Sequence, residues 1–344
     1  MQPLQDAIAR AMRAETLPDE FVANAFAEIL EGNANDVQIA AFGVAMRAKG
    51  EAPSELAALV RTMLSYAERV QLPDGLACID TCGTGGDQLG SVNVSTMAAL
   101  IAAGAGARVA KHGNRAASSQ CGSADVLEAL GVVIDLGPDD VAQCIARAGI
   151  GFCFAPRFHP AWRHAAAARR ALGVPTTFNV LGPLANPAGA RRQVLGVADP
   201  ALAPRLAEAL RALGTEYALV VWSHDGLDEL STTAAATVHE VRPDGVTRSE
   251  WDPQAFGIAP ASIDDLAGGD AAHNAAIVRA VLAGKTGPVR DIAVYNAAAA
   301  LLVAGLARDI SEGMQQAAAA IDDGRAQGAL DALVATSRAA AERA

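Results

Sequence analysis

Aromatic residues make up only 4 % of this 344-residue chain, against 51 % hydrophobic residues overall. That scarcity argues against an aromatic-rich β architecture; alanine carries much of the apolar share and favours close-packed helices. Positive charge is also short, with 27 Lys and Arg against 38 Asp and Glu and a net charge of −11. Nucleic acid and anionic lipid are held mainly by phosphate-neutralising cations, so the balance argues against a surface built to track either. A small phosphorylated substrate is not, because a few local cations or a metal ion suffice.

Cysteine is sparse and odd in number: Cys78, Cys82, Cys121, Cys144 and Cys153, with no CxxC pair. A reduced, cytoplasmic setting follows most simply. Cys78 and Cys82 would share a strand face with Asp80, yet no nearby His or Cys completes a tetrahedral site, so they read as buried apolar filler. The N-terminal "MQPLQDAIARAMRAE" has no apolar run of the kind a secretory signal needs. Two stretches, 88–107 and 292–307, carry no charge. The first is broken by Gly, Ser, Asn and Thr and the second is too short to span a bilayer, so both are expected to be buried segments.

The length predicts two domains or one large α/β unit with a satellite. Residues 1–70 place apolar residues at helical spacing, with breaks near Pro18, Asn33 and Gly50, and predict a small all-helical unit. "QLPDG" at 71–75 is a turn-rich boundary. Beyond it, "LACID", "RVAKHG", "VVIDL" and "GFCFA" read as strands separated by helices, which implies βαβ crossovers and a mainly parallel sheet flanked by helices. Helical character returns at 160–190, alternation resumes with "RQVLGVAD" and "YALVVWSH", and the tail from 274 is mostly helical.

Three segments carry chemistry. "DTCGTGGDQLGSVNVST" at 80–96 lies where a strand gives way to a helix, and Gly83, Gly85 and Gly86 would let backbone N–H groups approach an anion at the helix's positive end. Neither GxGxxG nor GxxxxGK[ST] fits, so the glycines alone are equally a tight turn and "NVST" equally a helix cap. "KHGNRAASSQCGSAD" at 111–125 is a dense donor set at a strand exit, or a solvated basic turn with Ser123 as the next helix cap. "HDGLDELSTT" at 224–233 contains adjoining Asp228 and Glu229, surface charge by themselves but Mg²⁺ ligands near a phosphate. Arg169 stands on a helix, where an exposed arginine is common and a carboxylate clamp is the functional alternative.

These segments, with "FAPRFHPAWRHAAAARRALGVPTTFNVLGPLANPA" and "GGDAAHNAAIVRAVLAGKTGPVRD", occur in an order that closely resembles the anthranilate phosphoribosyltransferase family over essentially the whole chain. The resemblance implies a helical domain at 1–72 completed by about 160–190, an α/β domain at 73–159 and 191–344, a hinge between them, and a homodimer through the helical part. It implies transfer of the phosphoribosyl group of 5-phosphoribosyl 1-diphosphate (PRPP) to the amine of anthranilate, with Mg²⁺. Gly83, Gly86, Asp87, Ser91, Asn93, Val94, Ser95 and Thr96 would cradle PRPP, completed by Lys111, His112, Gly113, Asn114, Arg115, Ala116, Ala117, Ser118, Ser119 and Ser123. Ser95, Asp228 and Glu229 would attend the metal. Gly83, Asn114 and Arg169 would contact anthranilate inside a wall of His112, His159 and Gly182, and Lys111, Asn114 and Arg169 would act on the reacting groups. Pro175 and Trp162 depart from the residues frequent in the family, both in the region of the aromatic substrate. A pyrimidine nucleoside phosphorylase and a non-catalytic nucleic-acid-binding relative are the rival readings; "KHGNR" with Asp228–Glu229 weighs against the first, and the net charge against the second.

Overall fold

The computed structural model describes residues 3–73, 75–87, 89–116 and 120–343. Four helices open the chain: α1 (Pro3–Ala11), α2 (Asp19–Leu30), α3 (Asp36–Lys49) and α4 (Pro53–Ser65). Their limits have local causes. Asn35 accepts from the Gln38 N–H while Gln38 accepts from the Asn35 N–H, a reciprocal cap that starts α3, and Gly50 at φ +81° follows its end. Buried Glu55 accepts from Leu17 N, Ala52 N and Lys49 Nζ (2.6–2.8 Å), tying two connections of the bundle and the end of α3 to one carboxylate.

The α/β part follows: β1 (Ile79–Gly83), α5 (Val94–Gly104), β2 (Val109–Gly113), α6 (Ser123–Ala129), α7 (Pro138–Ala148) and β3 (Ile150–Phe154). Then come three short helices, α8 (Ala155–Phe158), α9 (Arg163–Leu172) and α10 (Thr177–Leu181), of which α9 and α10 pack back on the opening bundle. β4 (Arg192–Gly196), α11 (Ala203–Ala212), β5 (Tyr217–Ser223), β6 (Ala236–Arg242) and β7 (Gly245–Trp251) complete the sheet. Helices α12 (Ala271–Leu282), α13 (Pro288–Ala304), α14 (Ile310–Asp322) and α15 (Arg325–Ala341) end the chain.

The sheet order is β3-β2-β1-β4-β5-β6-β7, parallel from β3 to β5 and antiparallel from β5 to β7. Residues alternate between its faces with the two-residue period of a strand: Tyr217, Leu219 and Val221 join the core of α5 and α13, while Ala218 and Val220 join the core of α11 and the opening bundle. The two uncharged stretches are α5 and α13, packed on each other and buried nearly all round. No helix among the described residues is long and apolar enough to cross a membrane.

One sequence expectation fails and one element was not foreseen. "VVIDL" at 132–136 is no strand: Val132, Ile134 and Leu136 turn alternately into the core, but the Val133 N–H is taken by Ser337 Oγ of α15. Alternating burial without a ladder partner makes an extended strap. The antiparallel β6–β7 hairpin was not expected, although Arg242 and Gly245 bracket a Pro-Asp turn and β7 carries the exposed charges of a sheet edge.

Candidate active site

β1 leads to β2 on one side of the sheet and has β4 on the other, so the chain reverses direction of growth between β1 and β4. Open α/β sheets bind ligands in the crevice beyond the carboxyl ends of such strands. Here those ends are paired glycines, Gly83 opposite Gly196. A Cβ on Gly196 would overlap the Asp228 carbonyl oxygen, and one on Gly83 would overlap the Asp228 carboxylate. Missing side chains on two strands therefore let the 224–233 loop lie on the strand ends. The space on the Cβ side of Gly83, one of the positions expected at the anthranilate contact, belongs to Asp228. Gly85 and Gly86 are the open glycines, at φ +67° and +88° with nothing within 4 Å of a Cβ position.

The carboxylates are held by backbone donors. Gly85 N donates to Asp228 Oδ2 (2.6 Å) and Ser95 N, in the first turn of α5, donates to Glu229 Oε1 (3.1 Å). Burial pushes both carboxyls up from the usual range, with the nearby charge of Asp87 adding to the effect on Asp228 and that of Asp228 to the effect on Glu229. Three acidic side chains crowd one place. Their compensation comes from Lys111, only 2 % exposed, whose Nζ donates to Thr81 O (2.7 Å) and Ser95 Oγ (3.3 Å). Burial lowers the lysine pKa, opposed by Asp80, Cys82, Glu229 and Asp228. Lys111 thus sits beneath the helix terminus and reaches its rim through Ser95.

The remaining cradle candidates divide by what their side chains already do. Val94 and Thr96 are buried in α5. Asn93 donates to Cys121 O (3.1 Å) and accepts from Asn274 Nδ2 (2.9 Å), tying the glycine loop to the 114–122 loop and to α12. Ser91 makes an antiparallel bridge with Ala267. Asp87 accepts from Leu89 N (3.3 Å). In the second loop, Arg115 pairs with Asp125 (3.0 Å) and Glu128 (2.5 Å) and stacks over Phe154, so its guanidinium turns towards α6. Asp125 in turn accepts from Ala116 N (3.0 Å) and Gly122 N (2.9 Å), and Gly122, not Ser123, is the cap residue of α6. Ser123 donates to Asn114 O (3.3 Å), in the space that a Cβ on Gly113 would need. The Asn114 side chain accepts from Arg115 N (2.8 Å). Ala117, Ser118 and Ser119 lie outside the described residues.

A wall adjoins this cradle. The His112 and His159 rings lie 5.2 Å apart, with His112 Nδ1 bonded to Gly182 O (3.1 Å) and His159 Nε2 to Ala185 O (3.0 Å). Those carbonyl partners fix the tautomers and leave His112 Nε2 and His159 Nδ1 buried without a partner among the described residues. Burial lowers the two imidazoles to about 3 and about 4, so both are neutral at physiological pH. Arg169 stands on α9 with its guanidinium over the Trp162 ring (5.3 Å), itself edge-on to Phe26 and Phe178. It shares no hydrogen bond with the Lys111 cluster; Arg169 is half-buried, its buried Nε has no partner among the described residues, and burial lowers its pKa. Pro175 is exposed in the turn after α9.

Sequence reasoning missed Asp80 as a positioning group and Asn186 altogether. Asp80, fully buried and raised to about 6 by desolvation, accepts from His112 N (3.1 Å) and Asn186 Nδ2 (2.7 Å), fixing β1 to β2 behind Lys111. The signal was present as an acid inside the apolar run "LACID" and an asparagine in "LANPA".

The donor set fits a hard cation. Asp228, Glu229 and Ser95 offer oxygen only, and crowded carboxylates gain from a positive charge. Among the described residues no group of three or more His, Cys, Asp or Glu side chains is placed to enclose an ion alone. Mg²⁺ suits that arrangement, since it keeps water and takes substrate phosphate oxygens.

Comparison with known proteins agrees with the geometry. Residues 76–327 match the glycosyl transferase family, a/b domain, and residues 5–67 match the glycosyl transferase family, helical bundle domain. The chain is 52 % identical over 323 residues to the anthranilate phosphoribosyltransferase of Maricaulis maris, covering 94 % of this chain and 95 % of that one. It is 50 % identical over 337 residues to that of Roseiflexus castenholzii, covering 97 % and 98 %. The crystal structure of the Thermus thermophilus enzyme superposes with a TM-score of 0.91 at 41 % identity, covering 97 % of this chain and 99 % of that one. The Saccharomyces cerevisiae enzyme in complex with PRPP and Mg superposes at 0.89 with 27 % identity, covering 98 % of each chain. With a half-buried carboxylate pair at its sheet switch point and relatives half identical over nearly its whole length, the chain belongs to the anthranilate phosphoribosyltransferase family of glycosyl transferases.

Proposed function

We propose that this enzyme transfers the 5-phosphoribosyl group of PRPP to the amine of anthranilate, giving N-(5-phosphoribosyl)anthranilate and diphosphate in tryptophan biosynthesis. The observation that carries the reading is the pair Asp228–Glu229, half-buried at the strand ends and bonded to Gly85 N and Ser95 N over Lys111.

The open backbone at Gly85 and Gly86 and the N-terminus of α5 receive the diphosphate, where bare N–H groups and a helix dipole favour anions. Asp228, Glu229 and Ser95 would hold Mg²⁺ arriving with PRPP, which would supply Lewis-acid chemistry towards the diphosphate. Lys111 orients the Ser95 hydroxyl. Displacement at C1 breaks the bond to diphosphate, which departs with the electron pair as the amine nitrogen forms its new bond; the nitrogen then gives up one proton, which the basic diphosphate oxygens released in the same step can take. Positive charge develops on the sugar, so charge stabilisation and positioning are the main contributions. An aromatic amine is neutral at physiological pH and needs no strong base to begin the attack.

Arg169 is the carboxylate clamp for anthranilate: its guanidinium is desolvated and held by Trp162, without an acidic partner among the described residues. His112, His159 and Gly182 line the same side, with Asn114 on the loop facing them. We divide the chain as 1–72 with about 160–190 for the helical domain and the remainder for the α/β domain, closing on a hinge that excludes water from the donor. The enzyme works as a cytoplasmic homodimer: Met12 and Val37 are 77 % exposed and Val44 41 % exposed, and Val37 and Val44 lie two turns apart on one face of α3. The test is loss of anthranilate fluorescence on addition of PRPP and Mg²⁺.

A further inference from the structure

The backbone that follows Glu229 is gripped from two elements that touch neither substrate nor metal in the reading above. Asn296, buried in the middle of α13, accepts from Leu230 N (3.0 Å) and donates to Leu230 O (2.8 Å). Its Nδ2 also donates to Ile292 O (2.9 Å), one helical turn back, which fixes the amide's orientation. Ser223, fully buried at the end of β5, donates through Oγ to Glu229 O (2.6 Å), and the same Oγ accepts from Ser231 N (3.0 Å). Glu229 O, Leu230 N, Leu230 O and Ser231 N are therefore committed to two side chains, immediately behind the two carboxylates. Nothing else about α13 calls for a polar residue: around Asn296 it reads Ile292 to Leu301 as apolar residues in the core. A buried amide kept inside such a helix is justified by what it bonds, since leaving Leu230 N and O unpaired in the core is costly.

We propose that Asn296 and Ser223 are positioning residues that set the register of the Asp228–Glu229 loop, and through it the affinity for Mg²⁺ with PRPP. The proposal rests on the reading of those carboxylates as the metal-associated pair. Groups behind a metal's ligands orient them, and their loss costs about 10- to 100-fold in metal affinity or activity. The clamp acts on the carboxylate loop alone, so its removal weakens the donor side and spares the acceptor side, where Arg169 and the histidines stand.

The experiment compares wild type, Asn296→Ala, Ser223→Ala and Leu301→Ala, the last a cavity in the same helix. Calorimetric titration gives the PRPP Kd at saturating Mg²⁺ and the Mg²⁺ midpoint at fixed PRPP; steady-state kinetics give the anthranilate KM; melting gives Tm. The clamp predicts that Asn296→Ala and Ser223→Ala raise the PRPP Kd and the Mg²⁺ midpoint by about tenfold or more, with anthranilate KM within about twofold, while Leu301→Ala lowers Tm only. Equal losses in Leu301→Ala, a parallel rise in anthranilate KM, or unchanged PRPP and Mg²⁺ affinities would overturn it. Should Asn296→Ala not fold, Ser223→Ala decides by the same criteria. A wild type that binds PRPP yet transfers nothing to anthranilate would instead sink the functional reading, leaving the clamp's effect on binding to be judged separately.

Discussion

Gly196 and Asp228 meet backbone to backbone: the end of β4 has no side chain where the Asp228 carbonyl oxygen lies. With Gly83 beside it in the ladder, that contact sets how low the carboxylate loop rides over the sheet. Gly196→Ala must lift the loop, an overpacking cost of about 1–3 kcal/mol. The expected outcome is a folded protein with a lowered Tm and a PRPP affinity that falls further than the stability does. Equal PRPP titrations for variant and wild type would show that loop height is irrelevant.

Arg169 carries a desolvated charge stacked on Trp162. Removing one member of a buried charge pair costs about 2 kcal/mol or more, roughly thirtyfold in an affinity. Arg169→Ala should raise the anthranilate KM by that order and leave the PRPP Kd near its wild-type value. Arg169→Lys should recover little, because an ammonium cannot offer the two-pronged geometry. Unaltered anthranilate kinetics in Arg169→Ala would remove the clamp from the account.

The two histidines predict acid sensitivity. Their folded values, about 3 and about 4, lie below the ordinary 6.5, so the unfolded chain binds more protons between these limits and stability falls as pH drops. Their contribution is complete above pH 6.5 and is lost progressively as pH falls through about 4 and then 3. Asp80, raised to about 6, works in the opposite sense between its ordinary value and 6. His159→Gln therefore isolates one effect: urea midpoints at pH 7 and pH 5 should differ less in the variant than in wild type. An identical pH dependence would contradict the burial argument.

All five cysteines are free and buried, with the Cys78 thiol pushed up to about 12 and that of Cys144 to about 11 by desolvation. A thiol reagent reacts through thiolate, so native protein should label slowly and unfolded protein should titrate five groups quickly. Rapid labelling of the native chain would show an open core.

Val37 and Val44 leave apolar surface on α3 in water. Replacing both by glutamate should turn the proposed dimer into a monomer with the helix content retained, read by light scattering and circular dichroism. A wild type that is monomeric at assay concentration would refute the pairing surface.

What was legible in the sequence was local. Apolar runs ending in glycine disclosed β1, β2 and β4, helical spacing disclosed α1 to α4, and the uncharged stretches disclosed α5 and α13 as central helices. What was hidden depends on partners far along the chain. Asp80 reads only as an acid at the end of a strand until Asn186, 106 residues away, donates to it. Arg115 reads as a phosphate ligand until Asp125 and Glu128 claim it. "VVIDL" has the composition of a strand, and only the absence of a neighbour to complete its ladder makes it a strap. Gly83 was singled out correctly as a position that needs bare backbone, but its occupant, Asp228, enters from 145 positions downstream in the sequence.

The most direct measurement is the fluorescence of anthranilate in the presence of the purified enzyme, PRPP and Mg²⁺. The account predicts a steady loss of signal that stops when Mg²⁺ is chelated and resumes when it is restored, and that is abolished in Asp228→Asn with Glu229→Gln. Persistent anthranilate fluorescence with PRPP at every Mg²⁺ concentration, or full turnover by the doubly substituted enzyme, would contradict it.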